Sequence, residues 1–583
     1  MTLWHIGNTT VRTPYRLKEA LKALKNSEFH GNLLGKELEQ EFAELLNERA
    51  IVKVERIEIG KDSSDLGRKW RSALGQLGFV VMHLKIGQKQ GIDPKLEPFV
   101  RDFPDLSGRP YEITPNGRRL IRAETAAEEQ ECFLRALVAY RIPSIFETRY
   151  KFPQFSPLRF VLEILLKLEN IEEDPNIKFE EMALFVQRRT SADGIDNVVS
   201  EILNYRHERN LAKNKKKFDN KVFLESAGGD QSKVRTLYDY SDLNFRYLKA
   251  TGLFHSKGRA IAIIPEKHTL IKLLLSEGDD FYDDITYVKT LWKGAKLPTD
   301  DKIKALDIIY SLFDQLEKYD ERLEIKDIKE KSLDELSKIR HQMEDHLQHF
   351  KEMEFAKNQS IAWKEIVKFM KAFKTHKRNV ASSDGETFSI PGNEMPAYFE
   401  WTIWRAFLAL NSLANLPWQS RKFKIDQDFF PLSHAPAGGP DMVFEFEEYV
   451  LVVEVTLTSS SRQEAVEGEP VRRHVAEIAE QFEKTDKRVY CLFIARNIDS
   501  NTAETFKIGN WYKKDDTKLP LQIVPIILDD FIDLFEAGFE SGKLKPEKIL
   551  QLLISCRALS NRDASEWKKE ISAEIKRLIT RWQ

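Results

Sequence analysis

Apolar side chains recur every three to four residues through most of 14–46, 158–170, 195–209 and 395–413, a period that predicts amphipathic helices. The carboxyl-terminal third adds a second pattern. Residues 449–457 read YVLVVEVTL, an apolar run without polar alternation, which predicts a strand buried on both faces. DMVFEF just before it, RVYCLFIA (488–495) and LQIVPIIL (521–528) have the same character, and RKFKID (421–426) predicts one strand more. Together with the helices MPAYFEWTIWRAFLALNSL and PVRRHVAEIAEQFEKT, the order is αβββαβ plus an extra strand. A hairpin followed by a helical crossover implies a central mixed sheet covered by helices.

In the amino-terminal half, IVKVERIEI (51–59) predicts a strand. The stretch 63-SSDLGRKWRSALGQLGFVV-81 predicts a helix capped by Ser63 or Ser64 and stopped at Gly78. Extended YEIT (111–114) then leads to Pro115, suited to a first helical turn. Residues 242–275 repeat this plan, with a helix ending at Gly252, a hairpin tip at HSKGR, strand IAII and Pro265 opening another helix. Helix, glycine, β-wing and helix form the ending of a winged helix-turn-helix. Two winged-helix-like subdomains, about 1–150 and 151–278, are therefore expected in a DNA-recognition region. Charges of alternating sign over 316–355 predict a helical linker spanning 279–360, and 361–583 is expected to be a separate unit. The predicted fold class is multidomain α+β.

The length of 583 residues favours about three domains. Three widely spaced cysteines, and 12 histidines without an HExxH pattern, point to neither a disulfide framework nor a zinc site. The start has no signal-peptide pattern, and no apolar run reaches the roughly 18 residues that span a bilayer, so a reduced cytoplasmic protein without membrane contact is expected. A net charge of −2 gives no global argument for nucleic acid. Basic residues nevertheless cluster locally. Arg68, Lys69 and Arg71 would meet base edges or phosphates if their helix entered a major groove, and Lys215, Lys216 and Lys217 would grip phosphates.

Three carboxylates fall where water reaches poorly. Asp441 opens the first hairpin strand after Gly-Gly-Pro, and Glu454 sits in the second strand 13 residues later. A two-residue turn brings these two together at one end of the pair. Glu400 shares a helical face with Ile403, Trp404 and Phe407 and so points inward. Clustered buried acids are tolerable when they share a cation, and oxygen ligands with room for water favour Mg²⁺ or Mn²⁺ over zinc. The same pattern also fits an edge strand whose Glu454 meets an arginine.

Pro440-Asp441 followed by Glu454-Val455-Thr456 resembles the PD-(D/E)XK nuclease motif, with Thr456 where a lysine is usual. More closely, 400-EW-401, 434-HAPAGGPDM-442, 452-VVEVT-456 and 467-EGEPVRRH-474 resemble the AlwI-type restriction endonucleases and their nicking relatives, type IIS enzymes that cut a few base pairs outside a short asymmetric duplex site. The resemblance implies a carboxyl-terminal PD-(D/E)XK-like nuclease domain and a Mg²⁺-dependent DNA endonuclease, with Mn²⁺ as substitute, whose product carries a 5′-phosphate and a 3′-hydroxyl. It implies Asp441, Glu454 and the Val455 carbonyl as metal ligands, Glu400 and Glu467 as assisting acids, and His474 as the catalytic histidine replacing the lysine as base. Arg473 would hold a phosphate oxygen. Implied partners are double-stranded DNA, a transient homodimer or small catalytic subunit for the second strand, and a cognate methyltransferase in the host. The alternatives are a strand-specific nicking enzyme or the large subunit of a heterodimeric enzyme, a repair or transposon-end nuclease, and, in another class, a non-catalytic winged-helix DNA-binding protein.

Overall fold

A computed structural model of the chain describes residues 3–49, 51–52, 61–82, 100–172, 175–278, 282–319, 325–381, 387–390, 394–436, 438–458 and 462–582. The strand expected over 51–59 lies, from residue 53 onward, outside the described residues. Contacts divide the chain into two compact units, 1–347 and 348–583.

Helices dominate the first unit. Helix Ser64–Gln76 has Ser63 at its N-cap position and buries Leu66, Trp70, Ala73 and Leu74. It stops at Gly78, whose φ of 70° and closeness to the Leu291 carbonyl leave no place for a Cβ. Thr114 caps the helix Pro115–Arg122, its hydroxyl accepting the Gly117 N–H at 3.1 Å. The YEIT segment bridges Val80 through Ile113, and backbone hydrogen bonds join Tyr111 and Glu112 to Val81 and Thr114 to Phe79. Further along, helix Gln231–Lys249 precedes the antiparallel hairpin Phe254–Lys257 and Ala260–Ile263, to which Ile177–Lys178 adds a short third strand. Pro265 opens a 3₁₀ turn that leads into helix His268–Ser276. Between 279 and 360 lie helices Asp284–Lys293, Lys302–Glu317 and Leu333–Asn358, and the division between the units falls inside the last. Among the described residues no helix is long and apolar enough to cross a membrane.

The second unit is built on a four-stranded mixed sheet in the order Ile523–Ile527, Arg488–Ala495, Tyr449–Thr456, Met442–Glu445. The first three strands run parallel and the fourth is antiparallel to its neighbour. Alternation along Tyr449–Thr456 divides the interior. Leu451 and Val453 face a core with helices Trp363–Lys374, Met395–Leu408 and Leu528–Ser541. Val450 and Val452 face a second core under helices Glu469–Phe482 and Ser500–Ile508. Both faces being covered explains the unbroken apolar run.

The hairpin turn consists of Glu447 and Glu448 alone. Phe446 N–H donates to the Tyr449 carbonyl at 2.9 Å, and the two rings stack with centroids 4.9 Å apart. Met442 then pairs with Val453, and one step further the same register sets Asp441 opposite Glu454.

The strand expected over 421–426 is reduced to two isolated bridges, Arg421 to Met442 and Ile425 to Pro431. Asp426 is the cause. Its carboxylate accepts the N–H groups of Asp428 and Phe430 at 2.8 and 2.9 Å and folds the chain back before a ladder can extend. The stretch between 495 and 521 holds helix Ser500–Ile508 and the small hairpin Asn510–Tyr512 with Lys518–Pro520, since a parallel crossover must cover the sheet it spans.

Candidate active site

Asp441 leaves a corner formed by Gly438, Gly439 and Pro440, with Gly438 at φ 101° in a conformation that favours glycine. Residues directly opposite on paired strands share a face, so Asp441 and Glu454 both lie on the side of Val443 and Val452, beneath helix Glu469–Phe482. Asp441 Oδ2 accepts the Val455 N–H at 2.8 Å, extending the hairpin beyond its last backbone pair with a side chain.

Glu454 is only 6% exposed, and its Oε1 lies 2.8 Å from His474 Nδ1. His474 is buried with Val471, Val475 and Ile478 on the sheet-facing side of its helix, as the 3.6-residue period predicts. Its Nε2 is buried and has no hydrogen-bond partner among the described residues. Glu467 arrives from a single π-helical turn, Glu464–Gly468, which runs directly into that helix. Glu400, buried in helix Met395–Leu408, accepts the Ala435 N–H at 2.7 Å and so ties the helix to the loop that delivers Asp441. In that loop His434 Nδ1–H donates to the Ala435 carbonyl at 2.8 Å. Trp401 and Trp404 are buried in the core.

All four acids are raised, burial being the first cause in each. Burial, and then Asp441, pushes Glu400 well above the usual carboxylate range. Burial and then Glu454 do the same to Asp441. Glu454 is pushed up to about 8 by burial and then by Glu467. Burial also raises Glu467, against a hydrogen bond from Thr456. His474 is lowered, first by burial and then by the Arg473 charge. Such a cluster must keep protons or share a positive charge.

Among the described residues no group of three or more His, Cys, Asp and Glu side chains has metal-holding geometry. The donor set still fits a small hard cation, because Mg²⁺ is commonly held by one or two carboxylates with water and substrate phosphate completing its shell. Asp441 and Glu454 supply two carboxylates on one face. Val455 turns its N–H toward Asp441, and a strand residue's carbonyl lies on the same edge as its N–H. The raised carboxylates and the buried His474 nitrogen, which has no partner among the described residues, suit a site that takes up positive charge.

Arg473 is engaged on its own helix by Glu469 at 3.3 Å and Glu477 at 3.7 Å. In the first unit Arg68 is exposed, Lys69 pairs with Asp65 at 3.2 Å, and Arg71 is drawn inward by Glu39 and stacks over Tyr111. Lys215, Lys216 and Lys217 are exposed in the first turn of helix Lys215–Ser226. One charged group at the sheet's active end escaped notice in the sequence. Arg496 directly follows strand Arg488–Ala495, whose Ala495 pairs with Thr456, and it donates to the Leu457 carbonyl at 2.9 Å. A basic residue just past an apolar strand was the available clue, since crevices at the carboxyl ends of parallel strands commonly hold ligands.

A family model described as AlwI restriction endonuclease matches residues 76–534. A solved structure, the small subunit of the heterodimeric restriction endonuclease R.BspD6I, is 25% identical over 37% of this chain and 98% of its own, with a TM-score of 0.28. Comparison with curated proteins gives no match.

Proposed function

The chain belongs to the AlwI restriction endonuclease family, and from that premise we propose that it is a type IIS enzyme cutting duplex DNA a few base pairs outside a short asymmetric site. Membership makes it a DNA endonuclease of the type II restriction class, and such enzymes generally need a divalent metal. The observation that carries the finer reading is the meeting of Asp441, Glu454 and His474 on one face of the hairpin.

Asp441, Glu454 and the Val455 carbonyl would hold Mg²⁺, or Mn²⁺ in its place. A divalent cation there supplies the charge that polarises the phosphate and acidifies a water. Ionised beside it, Glu454 accepts the Nδ1–H of His474, which leaves Nε2 with a lone pair for the proton of the attacking water. Glu400 steadies the loop before Asp441, and Glu467 adds negative charge that favours cation binding. In-line attack would leave a 5′-phosphate and a 3′-hydroxyl. Arg473 would exchange its helix carboxylates for a phosphate oxygen.

The amino-terminal residues, organised as two winged-helix-like subdomains before a helical linker at 279–360, would read the site. Arg68, Lys69 and Arg71 would lie at the groove and Lys215, Lys216 and Lys217 along the backbone. Replacing the last three by alanine should weaken binding equally on all sequences and reduce the log-log salt slope by up to about three, read by titration at several ionic strengths. An unchanged slope would remove them from the interface.

One such cluster among the described residues means one strand cut per chain. That favours a second reading alongside the first: a nicking enzyme, or the large subunit of a pair, unless two chains meet transiently. Supercoiled plasmid incubated with Mg²⁺ or Mn²⁺ and then sequenced at its ends distinguishes these. Cleavage at a fixed offset on both strands supports the type IIS reading, and on one strand the nicking one. Binding with intact plasmid in both metals would leave a non-catalytic DNA-binding protein. A cognate methyltransferase would protect the host's copies of the site.

A further inference from the structure

Residues 421 and 422 lie along the open edge of the hairpin. Arg421 bridges Met442 in antiparallel sense, and Lys422 N–H donates to the Asp441 carbonyl at 3.2 Å. In this register Lys422 stands directly across from Asp441, as Asp441 stands across from Glu454. Direct neighbours across antiparallel chains share a face. The flanking side chains agree. Arg421 turns to the opposite side, where Glu352 holds its guanidinium with two contacts of 2.8 Å, and Phe423 and Ile425 enter the core with Met442. Lys422 is left on the face that carries Asp441 and Glu454.

Its ammonium is exposed and has neither a hydrogen bond nor an ion pair among the described residues. The surrounding charge is lopsided. Asp441, Glu454 and Glu467 crowd this face, Glu400 approaches Asp441 from the helix behind the sheet, Arg473 is held by two carboxylates of its own helix, and Thr456 brings no charge. The Thr456 hydroxyl is occupied as well, accepting the Thr458 N–H at 3.1 Å. A scissile phosphate entering here brings a further negative charge, which grows as water adds. One divalent cation facing four acids and a phosphate leaves that growing charge short of a donor. A lysine on a flexible four-carbon stem, already on the correct face and tied to nothing, can reach the phosphate without breaking any contact.

We infer that Lys422 places its ammonium on a non-bridging oxygen of the scissile phosphate and acts there as a catalytic residue, an assignment that rests on the nuclease reading above. The lysine absent after Val455 is thereby supplied from the neighbouring edge, across from Asp441.

The test is single-turnover cleavage of a duplex carrying the site, at saturating full-length protein with Mg²⁺, together with duplex affinity measured in Ca²⁺. Lys422→Ala should lower the single-turnover rate by about 10²-fold, as loss of one preorganised donor does, with affinity within about threefold of wild type. Lys422→Arg should recover much of the rate, and Lys424→Ala, two residues further on the same face, should change it less than about threefold. An unchanged rate for Lys422→Ala overturns the assignment. So does weaker affinity with a normal rate at saturation, which marks an ordinary backbone contact. A wild-type protein that cuts no DNA under any of these conditions defeats the nuclease reading itself; one that cuts while Lys422→Ala cuts equally well defeats the lysine alone.

Discussion

Glu454→Gln is expected to abolish cleavage and at the same time to make the metal-free protein more stable at pH 8. In the folded chain Glu454 holds its proton up to about 8, whereas unfolded it would titrate near the ordinary glutamate value of about 4.3. Between those two values the folded form binds the extra proton. Wild-type stability therefore falls as pH rises through that window and levels off above it. Glutamine has no proton to lose, so the variant escapes this decline. At roughly 1.4 kcal/mol per pH unit across that window the gain at pH 8 is on the order of 5 kcal/mol. Loss of the charged bond to His474 subtracts about 1.5 kcal/mol and does not reverse the sign. Urea unfolding at pH 5 and pH 8 without metal reads the stability, and plasmid cleavage with Mg²⁺ reads the activity. Retained cleavage would remove Glu454 from the cation site. An inactive variant with wild-type stability at pH 8 would mean that the carboxylate is better solvated than its burial implies.

His474→Ala should slow cleavage by about 10²- to 10⁴-fold, the usual contribution of a positioned proton acceptor, with DNA affinity nearly unchanged. Glu454 orients the ring through Nδ1, and Nε2 has no other task among the described residues. The rate at saturating DNA carries the effect, because the imidazole lies on the buried, sheet-facing side of its helix. A wild-type rate would mean that another group accepts the proton.

Much of this site could be read before any coordinates. The two-residue turn at Glu447 and Glu448 and the unbroken apolar run set the hairpin register, and with it the meeting of Asp441 and Glu454. Helical period alone turned Glu400 and His474 inward. What stayed hidden depends on partners remote in sequence or on a backbone irregularity. Arg71 looked free for DNA, yet Glu39 lies 32 residues earlier and claims it. RKFKID reads as a strand until the side chain of Asp426 turns the chain back. Lys422 meets Asp441 through a pairing that no local periodicity encodes. The π-helical turn that brings Glu467 in differs from ordinary helix by a single residue, too little for periodicity to register.

The tight turn between Phe446 and Tyr449 has a consequence far from where it lies. Side chains alternate faces along a strand, so one residue inserted between Glu447 and Glu448 and absorbed by sliding the strand would offer Met442 to the catalytic side and swing Asp441 into the oily layer behind. The chemistry is thus hostage to loop length at the far end of the hairpin, about 20 Å away. A lineage could silence this enzyme by a three-nucleotide insertion there while every residue that performs the reaction stayed in its genetic place.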